Sequence, residues 1–230
     1  MDSNASLKDN YKSISDKIAQ AKKDSNVNKN IIFIAVSKKR SVEDIKVIYE
    51  QGHRIFGENY VNELLEKSEQ LPKDIEWHLI GHLQSNKVKK VLEKIPTITI
   101  ESVDSVKLSD ELNKNCSKLG ITSLNVYIEI NISNSTTKTG ADLNIIDDIA
   151  KNIVEKCPNL KLKGIMSLGT IGNKEEFAHM LKIKEEFCEK YKLDKDSFVA
   201  SFGTSQDFED AIKAGCDEVR IGHQIFDTNK

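Results

Sequence analysis

One lysine, one arginine and two glycine-bearing loops are the residues of this chain best suited to chemistry. Lys38 follows the apolar run IIFIAVS, residues 31–37. A short run this rich in Ile and Val reads as a strand buried on both faces. A helix start comes next. Ser41 can cap it, Asp44 sits three residues on, and Val42, Ile45, Ile48 and Tyr49 recur at helical spacing until Gly52. Lys38 is therefore expected where a buried parallel strand meets its loop, the end at which α/β folds bind ligands. Alternation puts Lys38 on one face with Ile32, Ile34 and Val36, and Lys39 on the other. Desolvation there favours the neutral amine, which attacks aldehydes. The plain alternative is a lysine whose head reaches back to water.

The same alternation reads EVRIG with Val219 and Ile221 against helices and Arg220 turned inward. In NVYIEINI it turns Val126, Ile128, Ile130 and Ile132 outward and leaves Tyr127, Glu129 and Asn131 inside. An inward arginine and glutamate need each other, as a structural ion pair, or a ligand. Lys38, Asn131 and Arg220 are expected near one rim. Two loops suit an anion. In SFGTSQDFEDAI, Gly203 lets the backbone approach and Thr204 or Ser205 opens a helix. In RIGHQIF, Gly222 and His223 offer backbone N–H groups. Ordinary capping is the other reading of both. A buried lysine, an inward arginine and a phosphate cup together fit pyridoxal 5′-phosphate. The lysine would form an imine with the aldehyde, and the arginine would face the pyridine nitrogen. A permanent cation there keeps that nitrogen unprotonated and weakens the electron sink. That suits storage, transfer or racemase-like chemistry better than transamination.

The elements that must position these residues alternate along the whole chain. A first helix carries the stripe Tyr11, Ile14, Ile18 and Ala21. Eight strands follow: IIFIAVS, RIFG, IEWHLIG, TITIE, LNVYIEINIS, LKLKGIMSLG, SFVASFG and EVRIG. Helices separate them, for example Ser85–Ile95, Asp104–Leu119, Asn173–Tyr191 and Ser205–Ala214, the second and last with Gly120 and Gly215 as C-caps. Pro72, Pro96 and Pro158 all fall between elements, and no low-complexity linker divides the chain. The expectation is an α/β fold: a single (β/α)8 TIM barrel over residues 1–230, with an extra N-terminal helix and linker over 1–30. An open doubly wound sheet is the alternative, but no G-x-G-x-x-G or P-loop follows the first strand.

Composition sets outer limits. The 230 residues carry a net charge of −2, with 38% hydrophobic and 30% charged. No basic field for nucleic acid and no polybasic membrane patch is expected. The first thirty residues are polar, so no secretory signal is expected, and no apolar run approaches a membrane span. Cys116, Cys157, Cys188 and Cys216 are far apart and are expected as buried free thiols in a cytoplasmic protein. A monomer is the expected state, a dimer the alternative.

Five motifs carry a resemblance. AVSK (35–38), FGENYVNE (56–63), WHLIGHLQSNK (77–87), INISNSTTKTG (130–140) and VRIGHQIF (219–226) closely resemble the YggS/PROSC family of pyridoxal phosphate homeostasis proteins. The resemblance runs from Ile31 to Phe226. It implies a barrel like the N-terminal domain of alanine racemase, binding pyridoxal 5′-phosphate without detected turnover and buffering or delivering it, with pyridoxal-phosphate-dependent apo-enzymes as acceptors. It implies Lys38 as the Schiff-base lysine, Asn59 near the cofactor, Arg220 on the pyridine nitrogen, and Met166 and Ser167 near the ring. Ser201 and Ser205, with Gly222 and the N–H of His223, would hold the phosphate. The chain departs from the family pattern at Thr204 (usually Met), His223 (usually Thr) and Asp227 (usually Gly).

Other sites are weaker. His78 and His82 are four apart, but Gly81 and the strand reading oppose a helical metal pair. Lys87, Lys89, Lys90 and Lys94 read as a solvated helix face, and Trp77 as packing between sheet and helix. Two enzymes are the alternatives to a carrier. A racemase needs a base on each face of the imine; Lys38 serves one, Tyr60 and Tyr127 are candidates for the other, and no second β domain is expected after residue 230. A lysine-imine aldolase acting on a sugar phosphate shares the lysine and the cup.

Overall fold

Strands that are apolar on both faces are satisfied only when helices cover one side and a closed barrel fills the other. The chain meets that requirement in full. The computed structural model describes residues 3–227; residues 1–2 and 228–230 of the expected unit lie outside the described residues. The strands are β1 Ile32–Val36, β2 Ile55–Glu58, β3 Glu76–Leu79, β4 Thr99–Val103, β5 Leu124–Glu129, β6 Leu160–Met166, β7 Val199–Thr204 and β8 Glu218–Ile221. They pair in chain order, all parallel, and β8 closes onto β1 with Ile34 opposite Arg220. The helices are α1 Ser3–Asp24, α2 Val42–Glu50, α3 Val61–Gln70, α4 Val88–Lys94, α5 Val106–Leu119, α6 Ile146–Lys156, α7 Lys174–Tyr191, α8 Phe208–Ala214 and α9 His223–Phe226.

Most of the core lies between barrel and helices. Ala35, Ile100, Val126, Ile128, Ile165, Val219 and Ile221 face outward into it. The inside holds two small apolar clusters, Ile34, Val36 and Ile80, and Tyr127, Met166 and Val199. α1 buries Leu7, Ile14, Ile18 and Ala21, and packs on α2, α8 and α9, across the seam where β8 meets β1. Asn10 Nδ2 donates to the Ile225 carbonyl at 3.1 Å, and Tyr11 stacks on Phe33 at 6.0 Å.

Local boundaries follow their caps. Ser41 and Asp44 form the capping box that opens α2. Gly120 and Gly215 end α5 and α8 in the left-handed conformation. The expected helix over Ser85–Ile95 starts as a 3-10 turn, Ser85–Lys87, before α4. The helix expected to open at Thr204 or Ser205 opens at Phe208 instead. Asp207 accepts from the Thr204 N–H at 2.8 Å and from its hydroxyl at 3.1 Å, which folds 204–207 into a turn. All four cysteines are free and buried. Among the described residues no helix is long and apolar enough to cross a membrane.

Candidate functional site

β1 ends at Val36, and Ser37–Arg40 make a turn closed by Arg40 N–H to the Ser37 carbonyl at 3.0 Å. Lys39 takes φ 59° in that turn. Lys38 therefore sits just above the barrel, half-buried, and lines a cavity of about 590 Å³. The turn also brings Lys39 to the cavity, although strand alternation places it on the opposite face. Val36, Arg40, Asn59, Tyr60, Ile80, Leu168, Arg220 and residues 204–206 and 222–224 complete the wall. A pocket of this size suits a small molecule with a few convergent polar groups.

Six of the residues singled out from sequence meet there: Lys38, Asn59, Ser205, Arg220, Gly222 and His223. Asn59 follows β2, and its backbone is met closely by Gly81, where a Cβ would lie 2.2 Å from the Asn59 carbonyl oxygen. Its side-chain Oδ1 is buried with no hydrogen-bond partner. Arg220 donates to Ser201 Oγ and to the Ser167 carbonyl, the latter at 2.7 Å. It makes no ion pair among the described residues, so the pairing with Glu129 considered from sequence is not made. Glu129 accepts instead from Thr139 Oγ1 at 2.5 Å. Gly222 N–H donates to Ser205 Oγ at 3.1 Å, which ties the two loops together.

The remaining predicted residues lie one layer away. Ser201 is fully buried between Arg220 and Glu101, 3.4 Å from Glu101 Oε2, and does not reach the cavity wall. Met166 packs below with Tyr127 and Val199. Ser167 and Gly203 line a small adjoining cavity of about 30 Å³ against Phe177 and Phe202. Asn131 closes its own loop, accepting from the Ser135 N–H at 3.1 Å. His78 and His82 part company: His78 is buried against Glu101, and exposed His82 lies 3.3 Å from Asp104. His223 turns its ring to Asp227 at 2.8 Å, and Arg40 bonds the same carboxylate. Two of the three departures from the family pattern are thus partners of each other. The His223 hydrogen bond and the Arg40 charge hold the Asp227 carboxyl below its ordinary range.

Two groupings were missed from sequence. Lys67 is buried and donates to Glu58, Glu63 and the Ser37 carbonyl at 2.8, 2.9 and 2.8 Å. Burial raises the Glu58 carboxyl, opposed by Lys67 and Ser37. On the barrel axis, His78, Glu101 and Glu218 bring ligand-type atoms within 4.8 Å of one another. The direct 2.5 Å contact of His78 Nδ1 with Glu101 Oε1 leaves no room for an ion between those two atoms.

The family model of the alanine racemase N-terminal domain matches residues 4–230. The human (Homo sapiens) pyridoxal phosphate homeostasis protein is 38% identical over 205 residues, covering 84% of this chain and 74% of that protein. The protein of the same name from Helicobacter pylori (strain ATCC 700392 / 26695) is 38% identical over 199 residues, covering 84% and 86%. The chain belongs to the pyridoxal phosphate homeostasis family. Members of the same barrel group are solved. A protein of unknown function from Bifidobacterium adolescentis superposes with TM-score 0.88 at 29% identity, over 97% of this chain and 96% of that one. PipY of Synechococcus elongatus PCC7942, solved with PLP bound, gives TM-score 0.75 at 27% identity, over 91% and 99%. Alanine racemase of Clostridium difficile 630 shares the fold, with TM-score 0.69 at 17% identity, and this chain covers 56% of its length. The family's homeostasis barrel therefore corresponds to only part of a racemase.

Proposed function

We propose that this chain binds pyridoxal 5′-phosphate in the 590 Å³ cavity and holds it on Lys38 as a reservoir, buffering or delivering it to apo-enzymes without turnover of its own. The observation that carries the reading is the convergence of Lys38, Asn59, Ser205, Arg220, Gly222 and His223 on one wall. The residues fit the group. Asn59 Oδ1 is a buried acceptor without a donor, and a ligand hydroxyl can supply one. Residues 204–206 and the first turn of α9 both line this cavity, and turns of this kind offer backbone N–H groups to a phosphate. The names of the human and Helicobacter pylori relatives and PLP-bound PipY support the same ligand.

When bound, pyridoxal phosphate supplies an aldehyde and an electron-withdrawing ring. The chain's own groups restrain that chemistry. Arg220 is anchored by Ser201 and Ser167, so its permanent charge stays in place against the cavity. A fixed cation opposes protonation of a ring nitrogen beside it and so weakens electron withdrawal. Lys38 is the amine that carries the cofactor. The deciding experiment is borohydride fixation followed by peptide mapping. A single reduced adduct on Lys38, lost in Lys38→Ala, is expected. Label spread over surface lysines would overturn the reading.

Tyr60 favours one second reading, an amino-acid racemase. It is 47% exposed and lines the cavity, whereas Tyr127 is buried and bonded to Glu218. Prompt α-proton exchange of an amino acid in deuterated water, lost in both Lys38→Ala and Tyr60→Phe, would establish it over a reservoir.

A further inference from the structure

Beneath the cavity the barrel axis is polar. Glu218 and Arg220 share the inner face of β8. Arg220 donates to Ser201 Oγ, and Ser201 Oγ lies 3.4 Å from Glu101 Oε2. Glu101 Oε1 meets His78 Nδ1 at 2.5 Å, and the Tyr127 hydroxyl donates to Glu218 Oε2 at 3.3 Å. Glu101, Glu218 and Ser201 are fully buried. Buried Glu218 Oε1 receives no hydrogen bond, and the Glu218 carboxyl lies beside Ser201 and beside Glu101, whose ligand-type atom is within 4.8 Å of its own.

Two carboxylates this close in a dry interior do not both ionise. A proton on Glu218 Oε1 completes the pattern without any other addition. Glu218 then donates to Glu101, and Glu101 accepts from Glu218, His78 and Ser201. Ser201 has one hydrogen, gives it to Glu101, and accepts from Arg220. The carboxyl, hydroxyl and imidazole donors of this cluster then each have an acceptor, and the charges of Arg220 and Glu101 cancel. A divalent cation in place of the proton would leave this core net positive and would have to break the His78–Glu101 contact.

His78 comes from β3, Glu101 from β4, Tyr127 and Glu129 from β5, Ser201 from β7 and Arg220 from β8. β1 and β6 present Ile32, Ile34, Gly164 and Met166. β2 presents Gly57, because its Glu58 is turned out to Lys67. Asp217, next to Glu218, is paired outside with Lys29 and Lys184. Glu76, at the start of β3, is exposed and acts on His78 only through its charge.

We propose that Glu218 is a positioning residue for the ligand site: its proton, shared with Glu101 and relayed through Ser201, keeps a single negative charge under Arg220, and loss of that proton weakens retention of an anionic ligand. The proposal rests on the pyridoxal phosphate reading of the cavity. The physical step is simple. Deprotonation puts a second anion below Arg220, draws the guanidinium toward the axis, and opposes a phosphate-bearing ligand above it. Burial raises both carboxyls, Glu101 to about 7 and Glu218 to about 8, so the change falls on the alkaline side of neutrality.

The test has two readouts. Infrared spectra of the ligand-free protein should show a protonated-carboxyl band at pH 6.5 that fades toward pH 9 and is missing from Glu218→Gln. Pyridoxal phosphate is then titrated into wild type and Glu218→Gln across the same range. Other titrating groups are common to both proteins, so the ratio of the two Kd values isolates Glu218. That ratio should change about fivefold between pH 6.5 and 9, the linkage of a one-unit shift in a group that titrates near 8. A band that is absent from wild type, or that persists in Glu218→Gln, overturns the proposal, and so does a constant ratio. Should Glu218→Gln not fold, Ser201→Ala serves: it keeps the band and cuts the relay, and a pH profile parallel to wild type overturns the proposal. Failure of wild type to carry pyridoxal phosphate on Lys38 at any pH sinks the cavity reading instead, while the infrared band still reports the shared proton.

Discussion

Lys67 Nζ lies 2.8 Å from the Ser37 carbonyl oxygen, one peptide before Lys38. The same amine holds Glu63, whose Oε2 accepts the Lys39 N–H at 2.7 Å. One buried cation thus pins the backbone on both sides of Lys38 while neutralising Glu58. Lys67→Met strands the Glu58 carboxylate and is expected to cost roughly 3–5 kcal/mol in urea unfolding. Adding Glu58→Gln should restore part of that stability but not the tie to Ser37, so borohydride-fixed adduct at Lys38 stays low. Equal stability of the single and double variants would contradict this account.

Gly81 controls Asn59 from the next strand. The nearest atoms to an added Cβ are the Asn59 carbonyl oxygen at 2.2 Å and Cα at 2.7 Å. Backbone cannot yield as a flexible side chain does, so Gly81→Ala must displace Asn59. The expected outcome is a loss of about 1–3 kcal/mol from overpacking together with weaker pyridoxal phosphate uptake. A melting curve and a ligand titration on the same sample check both.

Stability should fall on either side of a maximum near weakly acid pH. His53 is buried against Phe33 and Phe56, and burial lowers it from 6.5 to about 4. A depressed histidine contributes stability above its unfolded value that is lost as pH falls from 6.5 through about 4, on the order of 3 kcal/mol. Glu218 works in the opposite sense. Raised from 4.5 to about 8, it contributes stability below 4.5 that is lost as pH rises through about 8. Denaturant midpoints measured from pH 4 to 9 should show the acid limb flattened in His53→Phe and the alkaline limb flattened in Glu218→Gln.

The cysteines should be silent. Burial pushes the Cys116 and Cys157 thiols up to about 11, and raises Cys188 and Cys216 as well. A thiol reagent at pH 8 is expected to label none of the four in the native protein within minutes and all four in guanidinium. Rapid labelling of any one in native buffer would place it outside the core.

The barrel was legible because its signals are local. Eight short apolar runs, each followed by a helical segment or the chain end, need no knowledge of long-range contacts. Part of the cavity was legible in the same way, since Lys38 and Arg220 follow from strand pattern and strand order, whereas Asn59 came only from the family resemblance. Lys67 was not, because its partners come from a different strand and turn. One signal was available, since Lys67 falls in the apolar stripe of α3 between Leu64 and Leu71. Glu218 was open to the alternation that identified Arg220, but nothing local says that β4 delivers Glu101 against it. The opening of α8 was misjudged because Ser205 resembles an N-cap, whereas its hydroxyl is engaged by the Gly222 N–H.

The seat of α1 has a consequence for how the molecule is made. Its apolar stripe is covered by α8 and α9, and β1 closes on β8. Emerging from a ribosome, α1 has only α2 of its three helical neighbours, and the edge of β1 that pairs with β8 stays open, until nearly every other element has been translated. The nascent chain therefore offers a sticky surface to chaperones for most of its synthesis. Arg220, Gly222 and the Ser205 turn arrive at that same late moment, so the cavity cannot capture a ligand on a half-made chain.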